Sequence, residues 1–302
     1  MPKAVFLFPG QGAQFVGMGK PLYDTVPAAK RLFDEAKEIL GYDLAEVCWN
    51  GPEARLNATD ISQPAIYTAS LAALESLKEK EPEAIASCFA AAGLSLGEYT
   101  ALVFAGVMSF ADGLRLVQKR GQAMQAAAEA LPSGMISVLG LELPQIETLC
   151  GQAQASGRVW VANLLCPGNI VLSGDMNGLA AVEQAAPALG AMKTIRLAVA
   201  GAFHTEIMKP ADQQLAAALL NVRMQPARVP VWSNVDAQPH SDPEEVRPLL
   251  IQQVLNPVRW EATMRNLLAD GADKFYEIGP GRVLAGLLKR VQRKMECVAV
   301  PA

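Results

Sequence analysis

Three side chains in this sequence have the types that a serine nucleophile, its base and an anion-binding cation need. Ser95 sits in "AAGLSLGEYT", inside a G-x-S-x-G pattern. A serine attacks a carbonyl only when a neighbouring base takes its proton. The chain has two histidines. His240 lies in "DAQPHSDPEE", a polar stretch that reads as an exposed loop. His204 lies in "VAGAFHTEIM", between an apolar strand and a helix. Strand-end loops are where α/β folds build their sites, so His204 is the candidate base. The third residue is Arg120, in the helical stretch "ADGLRLVQKRGQAMQAAAEA". There Val117, Arg120, Gly121 and Met124 fall at i, i+3, i+4 and i+7, on one apolar face. A guanidinium on such a face keeps its charge and needs an anion. That anion is either one of the chain's own carboxylates or a substrate carboxylate gripped by both arms of the fork. The residues alone leave both open.

The elements around these residues set their geometry. "AVFLF" (4–8) reads as a buried strand entering the Gly-rich loop "PGQGAQFVGMG". Helices are expected over 21–40 and 63–80. A strand over 84–93 breaks at Ser95, and a helix resumes from Gly97. Strand, tight turn and helix make the geometry of a nucleophile elbow, and Gly93 and Gly97 let its neighbours approach. A further helix covers 111–130. From 131 the order becomes β-α-β-β-α-β, ending in a strand over 192–200, which is the ferredoxin-like pattern. Beyond it a helix at 208–221, a strand at 229–235, helices within 244–269, a strand at 274–279, a helix at 281–291 and a last strand at 297–300 alternate. That implies a parallel sheet with helices on both faces. The expected fold is α/β: an α/β-hydrolase-like core formed by residues 1–130 and 199–302, with a ferredoxin-like small domain inserted at 131–198.

Composition narrows the functions. At 302 residues and 51% hydrophobic, the chain can bury a sizeable core. A net charge of −4 argues against nucleic-acid binding. Five cysteines without a C-x-x-C spacing argue against a disulfide framework or a zinc site, and point to a reducing cytoplasm. No signal peptide and no membrane-spanning run is expected. "GQGAQFVGMGK" matches neither phosphate-binding glycine motif.

With these residues in place, the chain resembles the malonyl-CoA:acyl-carrier-protein transacylases and, more broadly, the acyltransferase domains of fatty acid and polyketide synthases. The resemblance runs through "FPGQGAQ" (8–14), "GLSLGEYTAL" (93–102), "QKRGQAMQ" (118–125) and "VANLLCPGNIVLSG" (161–174). It continues through "GAFHTEIM" (201–208), "PVWSNV" (230–235), "QQVLNPVRW" (252–260) and "EIGPGRVLAGLLKR" (277–290). It implies that Ser95 carries the acyl group and that His204 is its general base and acid. It implies an oxyanion hole from the backbone N–H groups of Gln11 and Leu96. Arg120 would hold the malonyl carboxylate, and a backbone carbonyl near Gln253 would orient the histidine. Met124, Asn163 and Phe203 would line the cleft, with Phe203 matching the malonyl-type signature. The partners implied are malonyl-CoA and an acidic acyl carrier protein, with Arg282, Lys289, Arg290, Arg293 and Lys294 as candidate docking cations. No metal or other cofactor is implied, and a monomer is expected.

Three positions depart from the commonest family pattern. Leu94 replaces the usual histidine, "LLC" (164–166) replaces a more polar run, and Thr205 stands where serine is common. The rival readings are a discrete acyltransferase serving a polyketide or polyunsaturated lipid synthase, an acyl hydrolase, and a non-catalytic relative.

Overall fold

The computed structural model describes residues 3–302. Ala4–Phe8 (β1) is a run of five buried apolar residues, as a strand covered on both faces requires. Ala4, Phe6 and Phe8 face one core cluster, while Val5 and Leu7 face another. That is the period-two alternation of a strand. Helices follow at Lys20–Thr25 (α1), Pro27–Leu40 (α2), Leu44–Asn50 (α3), Glu53–Leu56 (α4), Thr59–Lys80 (α5) and Pro82–Ser87 (α6). The strand Cys88–Gly93 (β2) leads to Leu96–Phe104 (α7) and Phe110–Ala130 (α8). The second sheet is built from Ser133–Leu139 (β3), Leu143–Ala153 (α9), Val159–Cys166 (β4), Asn169–Asp175 (β5), Met176–Ala185 (α10) and Lys193–Arg196 (β6). The chain then runs through Lys209–Leu219 (α11), Val231–Trp232 (β7), Pro239–His240 (β8), Pro243–Gln253 (α12) and Trp260–Ala269 (α13). It closes with Lys274–Ile278 (β9), Val283–Val291 (α14) and Cys297–Val300 (β10).

The first sheet has the order β10-β9-β1-β2-β7-β8. Its pairs are parallel except at the edge, where β8 runs antiparallel to β7. The expected all-parallel sheet is thus corrected at one edge, where the "VDAQ" stretch is short enough to turn straight back. The second sheet has the order β4-β5-β3-β6, all antiparallel. One face, with Ile136, Val138 and Leu172, packs on α9 and α10. The other face, with Met135, Ala162 and Val171, joins the largest cluster of the first sheet. The main chain also ties the second sheet to the segment between α12 and α13: Leu164 N–H donates to Val258 O at 2.9 Å, and Val258 N–H to Ala162 O at 2.8 Å.

Several expected elements are shorter in the structure. Residues 84–87 belong to α6, because Pro82 presets the first helical turn, and strand pairing to β1 begins only at Cys88. The strand expected over 192–200 is confined to Lys193–Arg196, paired with Leu139–Ile136 of β3, and Leu197 N–H makes one more bond, to Met135 O at 3.0 Å, before the chain leaves the sheet. Beyond it Leu197 and Val199 line a cleft. The strand expected over 229–235 narrows to Val231–Trp232, after which Ser233 and Asn234 turn into the site. The helix over 21–40 breaks at Val26, ahead of Pro27.

The turn after β2 depends on glycine. A Cβ on Gly93 would strike the backbone of Gly97, and one on Gly97 would strike the carbonyl of Phe8. Gly97→Ala is therefore expected to destabilise the fold by about 3 kcal/mol, the upper end of overpacking costs, read as a lower denaturant midpoint. An unchanged midpoint would mean that α7 can slide off β1 at no cost.

Candidate active site

Ser95 is the residue before α7, with φ 51° and ψ −101°. A residue with a Cβ reaches this region only under strain, so the surroundings must hold it there. They hold it from both sides. Ser95 N–H donates to Asn234 Oδ1 at 2.6 Å, and Ser95 C=O accepts from Gln253 Nε2 at 3.0 Å. Asn234 Nδ2 in turn donates to Gly93 O at 2.8 Å. The strain aims Oγ away from the helix and into the cleft.

His204 meets it there. Its Nε2 lies 2.8 Å from Ser95 Oγ, and its Nδ1 lies 2.8 Å from the backbone carbonyl of Gln253. A carbonyl only accepts, so Nδ1 carries the proton and Nε2 offers its lone pair to the serine hydroxyl. His204 also has a positive φ, 62°, which turns its ring back from the start of the following short helix. The other histidine is elsewhere: His240 is bracketed by Glu245 and Asp236 at 2.9 and 3.0 Å.

Arg120 completes the group from α8. It is 2% exposed. Nη1 donates to Gln63 Oε1 at 2.8 Å, while Nη2 donates to Gln253 Oε1 and to Ser95 Oγ, both at 3.0 Å. The guanidinium also sits over the Tyr99 ring, 5.2 Å from its centroid, a cation–π arrangement. Every hydrogen-bond acceptor it meets is neutral, and Nε finds none among the described residues. The buried carboxylate of Glu98 is taken up by Gln253 Nε2 at 2.7 Å and Asn234 N–H at 3.0 Å. Glu98 acts on Arg120 electrostatically, but no internal carboxylate hydrogen-bonds to it.

Burial governs the titration of this cluster. It pushes His204 down to about 4, with the Arg120 charge acting in the same direction. Burial pushes Glu98 up to about 7, against the hydrogen bonds from Gln253 and Asn234. Arg120 is lowered by burial too, yet a guanidinium stays protonated. The imidazole is therefore neutral across the physiological range. The acylation rate is expected to stay flat from about pH 8 down to near pH 5 and to halve near pH 4. An acid limb centred near 6.5 in single-turnover kinetics would contradict this. Stability should follow with its own sign. The unfolded imidazole protonates near 6.5, so the His204 contribution is present above that pH and is lost as pH falls toward 4. Glu98 works oppositely: its contribution is present below about 4.5 and is lost as pH rises through 7.

Most of the residues expected at the site line one cleft of about 520 Å³, mouth included: Gln11, Ser95, Leu96, Arg120, Met124 and Asn163, with Phe203 and His204. Leu96 opens α7, so its N–H has no intrahelical acceptor. The loop carrying Gln11 crosses so close that a Cβ on Gly10 would strike the Leu94 carbonyl. Leu94 itself borders the cleft and packs on the cluster formed behind β1 and β2. Asn163 brings a buried Oδ1 with no partner among the described residues. Gln253 is not in the cleft wall: its side chain faces Arg120, Glu98 and the Ser95 carbonyl. Three residues at the site were not singled out in the sequence: Gln63, Glu98 and Asn234. A polar residue in the apolar run "DISQPAIYTASLAAL" and an acid at the start of an apolar helix are the signals that mark two of them.

Among the described residues no cluster of His, Cys, Asp and Glu could hold a metal ion, and no helix is long and apolar enough to cross a membrane. Comparison with known proteins gives a consistent result. A family model described as the acyl transferase domain matches residues 5–301. The malonyl CoA-acyl carrier protein transacylase of Bacillus subtilis is 44% identical over 301 residues, covering 99% of this chain and 94% of that protein. The crystal structure of an acyl-carrier-protein S-malonyltransferase from Bartonella henselae superposes with a TM-score of 0.95 at 36% identity, covering 99% of this chain and 95% of that one. A malonyl-transacylase solved in complex with a type II polyketide synthase acyl-carrier protein gives a TM-score of 0.92 at 37% identity, covering 98% and 95%. With 99% of the chain matched by these transacylases, it belongs to the acyl transferase domain family, and it is an acyltransferase.

Proposed function

We propose that the protein moves a malonyl group from malonyl-CoA to the phosphopantetheine thiol of an acyl carrier protein, through an ester on Ser95. The observation that carries this reading is Arg120: a buried cation with only neutral partners, 3.0 Å from the Ser95 hydroxyl. It suits an acyl group that ends in a carboxylate.

Each step uses a group already placed. His204 Nε2 takes the Ser95 proton as Oγ attacks the thioester carbonyl. The backbone N–H groups of Gln11 and Leu96 receive the oxyanion, and the positive end of α7 favours it. His204 returns the proton to the departing CoA sulfur. The carrier thiol then enters, gives its proton to His204 and takes the malonyl group, which restores the Ser95 hydroxyl. The Gln253 carbonyl, 2.8 Å from Nδ1, holds the imidazole tautomer where other enzymes use a carboxylate. Met124, Asn163 and Phe203 shape the cleft for the acyl and pantetheine groups.

The carrier docks on the exposed cations Arg282, Lys289, Arg290, Arg293 and Lys294. Arg290 also donates to the Pro167 carbonyl at 3.0 Å. Residues 1–130 with 199–302 form an α/β-hydrolase-like domain, and 131–198 a ferredoxin-like one, a reading supported by the β-α-β-β-α-β order and the strand order β4-β5-β3-β6. The enzyme works as a cytoplasmic monomer in fatty acid synthesis. A second reading, service to a polyketide synthase, is favoured by the likeness to a malonyl-transacylase complexed with a polyketide carrier. Incubation with malonyl-CoA followed by intact mass spectrometry tests the proposal: a malonyl adduct on Ser95 is expected, and its absence would overturn it.

A further inference from the structure

We infer that Gln63 and Gln253 form a neutral amide clamp that decides the acyl selectivity of this site, by fixing the direction of Arg120 while placing no negative charge in direct contact with it. The inference rests on the malonyl reading above and goes beyond it, because it assigns selectivity to residues that act through the arginine.

The geometry leaves little freedom. Gln63 Oε1 accepts from Arg120 Nη1 at 2.8 Å, and Gln63 Nε2 points at Met124 Sδ, 3.5 Å away. Gln253 Oε1 accepts from Nη2 at 3.0 Å. The orientation of the Gln253 amide is fixed twice over. Its Nε2 faces two acceptors, the Ser95 carbonyl at 3.0 Å and Glu98 Oε2 at 2.7 Å, so Oε1 must face the guanidinium. Glu98 and the strained Ser95 backbone therefore hold the arm that holds Arg120. Gln63 is 0% exposed on α5, a helix whose residues are buried nearly all round, so it cannot swing aside. An amide oxygen and a carboxylate oxygen would accept the same hydrogen bonds here. They differ in one respect: a carboxylate would neutralise Arg120 and leave a substrate carboxylate no free cation. Two amides at these positions are what keeps the cation available. Gln63 is a positioning residue in this scheme, and so is the Gln253 side chain.

The test compares malonyl-CoA with acetyl-CoA as donors, by kcat/KM of enzyme loading. Gln63→Glu places a carboxylate against Nη1. Its malonyl:acetyl ratio is expected to fall about 100-fold, with the acetyl rate changed about threefold or less, since the ion pair removes the cation and spares Ser95 and His204. Gln63→Met removes the acceptor without adding charge. It should raise KM for malonyl-CoA about tenfold, with kcat/KM for acetyl-CoA falling about threefold or less. If either folded variant keeps the wild-type malonyl:acetyl ratio, or loses both donors equally, Gln63 is only a packing residue and the inference fails. Should Gln63→Glu not fold, the Gln63→Met measurement decides alone. Failure of the malonyl reading itself is distinct: the wild-type enzyme would then load neither donor, or load acetyl in preference.

Discussion

Ser95→Ala should abolish the malonyl-enzyme adduct and lower transfer by at least about 10⁴-fold, while the protein keeps its fold. The size follows from what the hydroxyl does. It is the atom that would bear the acyl group, and its hydrogen bond to His204 Nε2 at 2.8 Å has no substitute within the site. The fold should survive because the turn is held by main-chain groups. Asn234 Oδ1 still receives the residue-95 N–H, and Gln253 Nε2 still donates to its carbonyl. Alanine pays no larger strain than serine at φ 51°. The decisive outcome is the adduct by intact mass. A malonyl mass that persists in Ser95→Ala would place the ester elsewhere and sink the mechanism.

The second large effect belongs to Arg120→Ala. Malonyl-CoA should lose about 10³-fold in kcat/KM, because two charge-assisted hydrogen bonds contribute about 1.5–3 kcal/mol each. Acetyl-CoA has no carboxylate to lose. It should fall only about tenfold, through the missing Nη2 hydrogen bond to Ser95 Oγ. Equal losses with both donors would make Arg120 a structural cation. The prediction also bears on the hydrolase alternative, since a site that releases many acyl groups has no use for a fixed cation. Leu94 enters neither prediction: it borders the cleft and packs against apolar neighbours, and none of the hydrogen bonds around Ser95 passes through its side chain.

Local patterns made parts of this legible in the sequence. The elbow could be read because Gly93 and Gly97 flank a serine between an apolar run and a helix, and steric contact allows little else there. The histidine could be read because only two exist and one sits in a polar stretch. Arg120 could be placed on a face by helical spacing, but not given a partner, because its partners lie on α5 and α12, 57 and 133 residues away. Glu98, Gln63 and Asn234 stayed hidden for the same reason: their meaning comes from hydrogen bonds across distant segments. The hydrophobic runs at 84–93, 192–200 and 229–235 are longer than the strands they contain. Hydrophobic runs signal burial, whereas a strand lasts only as long as its ladder to the neighbouring strand, which the run does not reveal.

The grip on Ser95 has a consequence for the timing of synthesis. Ser95, Arg120 and the loop carrying Gln11 all lie in the first 130 residues. His204 is 109 residues beyond Ser95, and Asn234 and Gln253, which hold the Ser95 backbone, are 139 and 158 residues beyond it. A nascent chain emerging from the ribosome therefore carries an unarmed serine until α12 has been made and has docked. Contacts of such long sequence separation form late, so the reactive conformation should be among the last features to assemble. Chemistry at Ser95 thereby becomes a report that nearly the whole polypeptide is present and correctly folded.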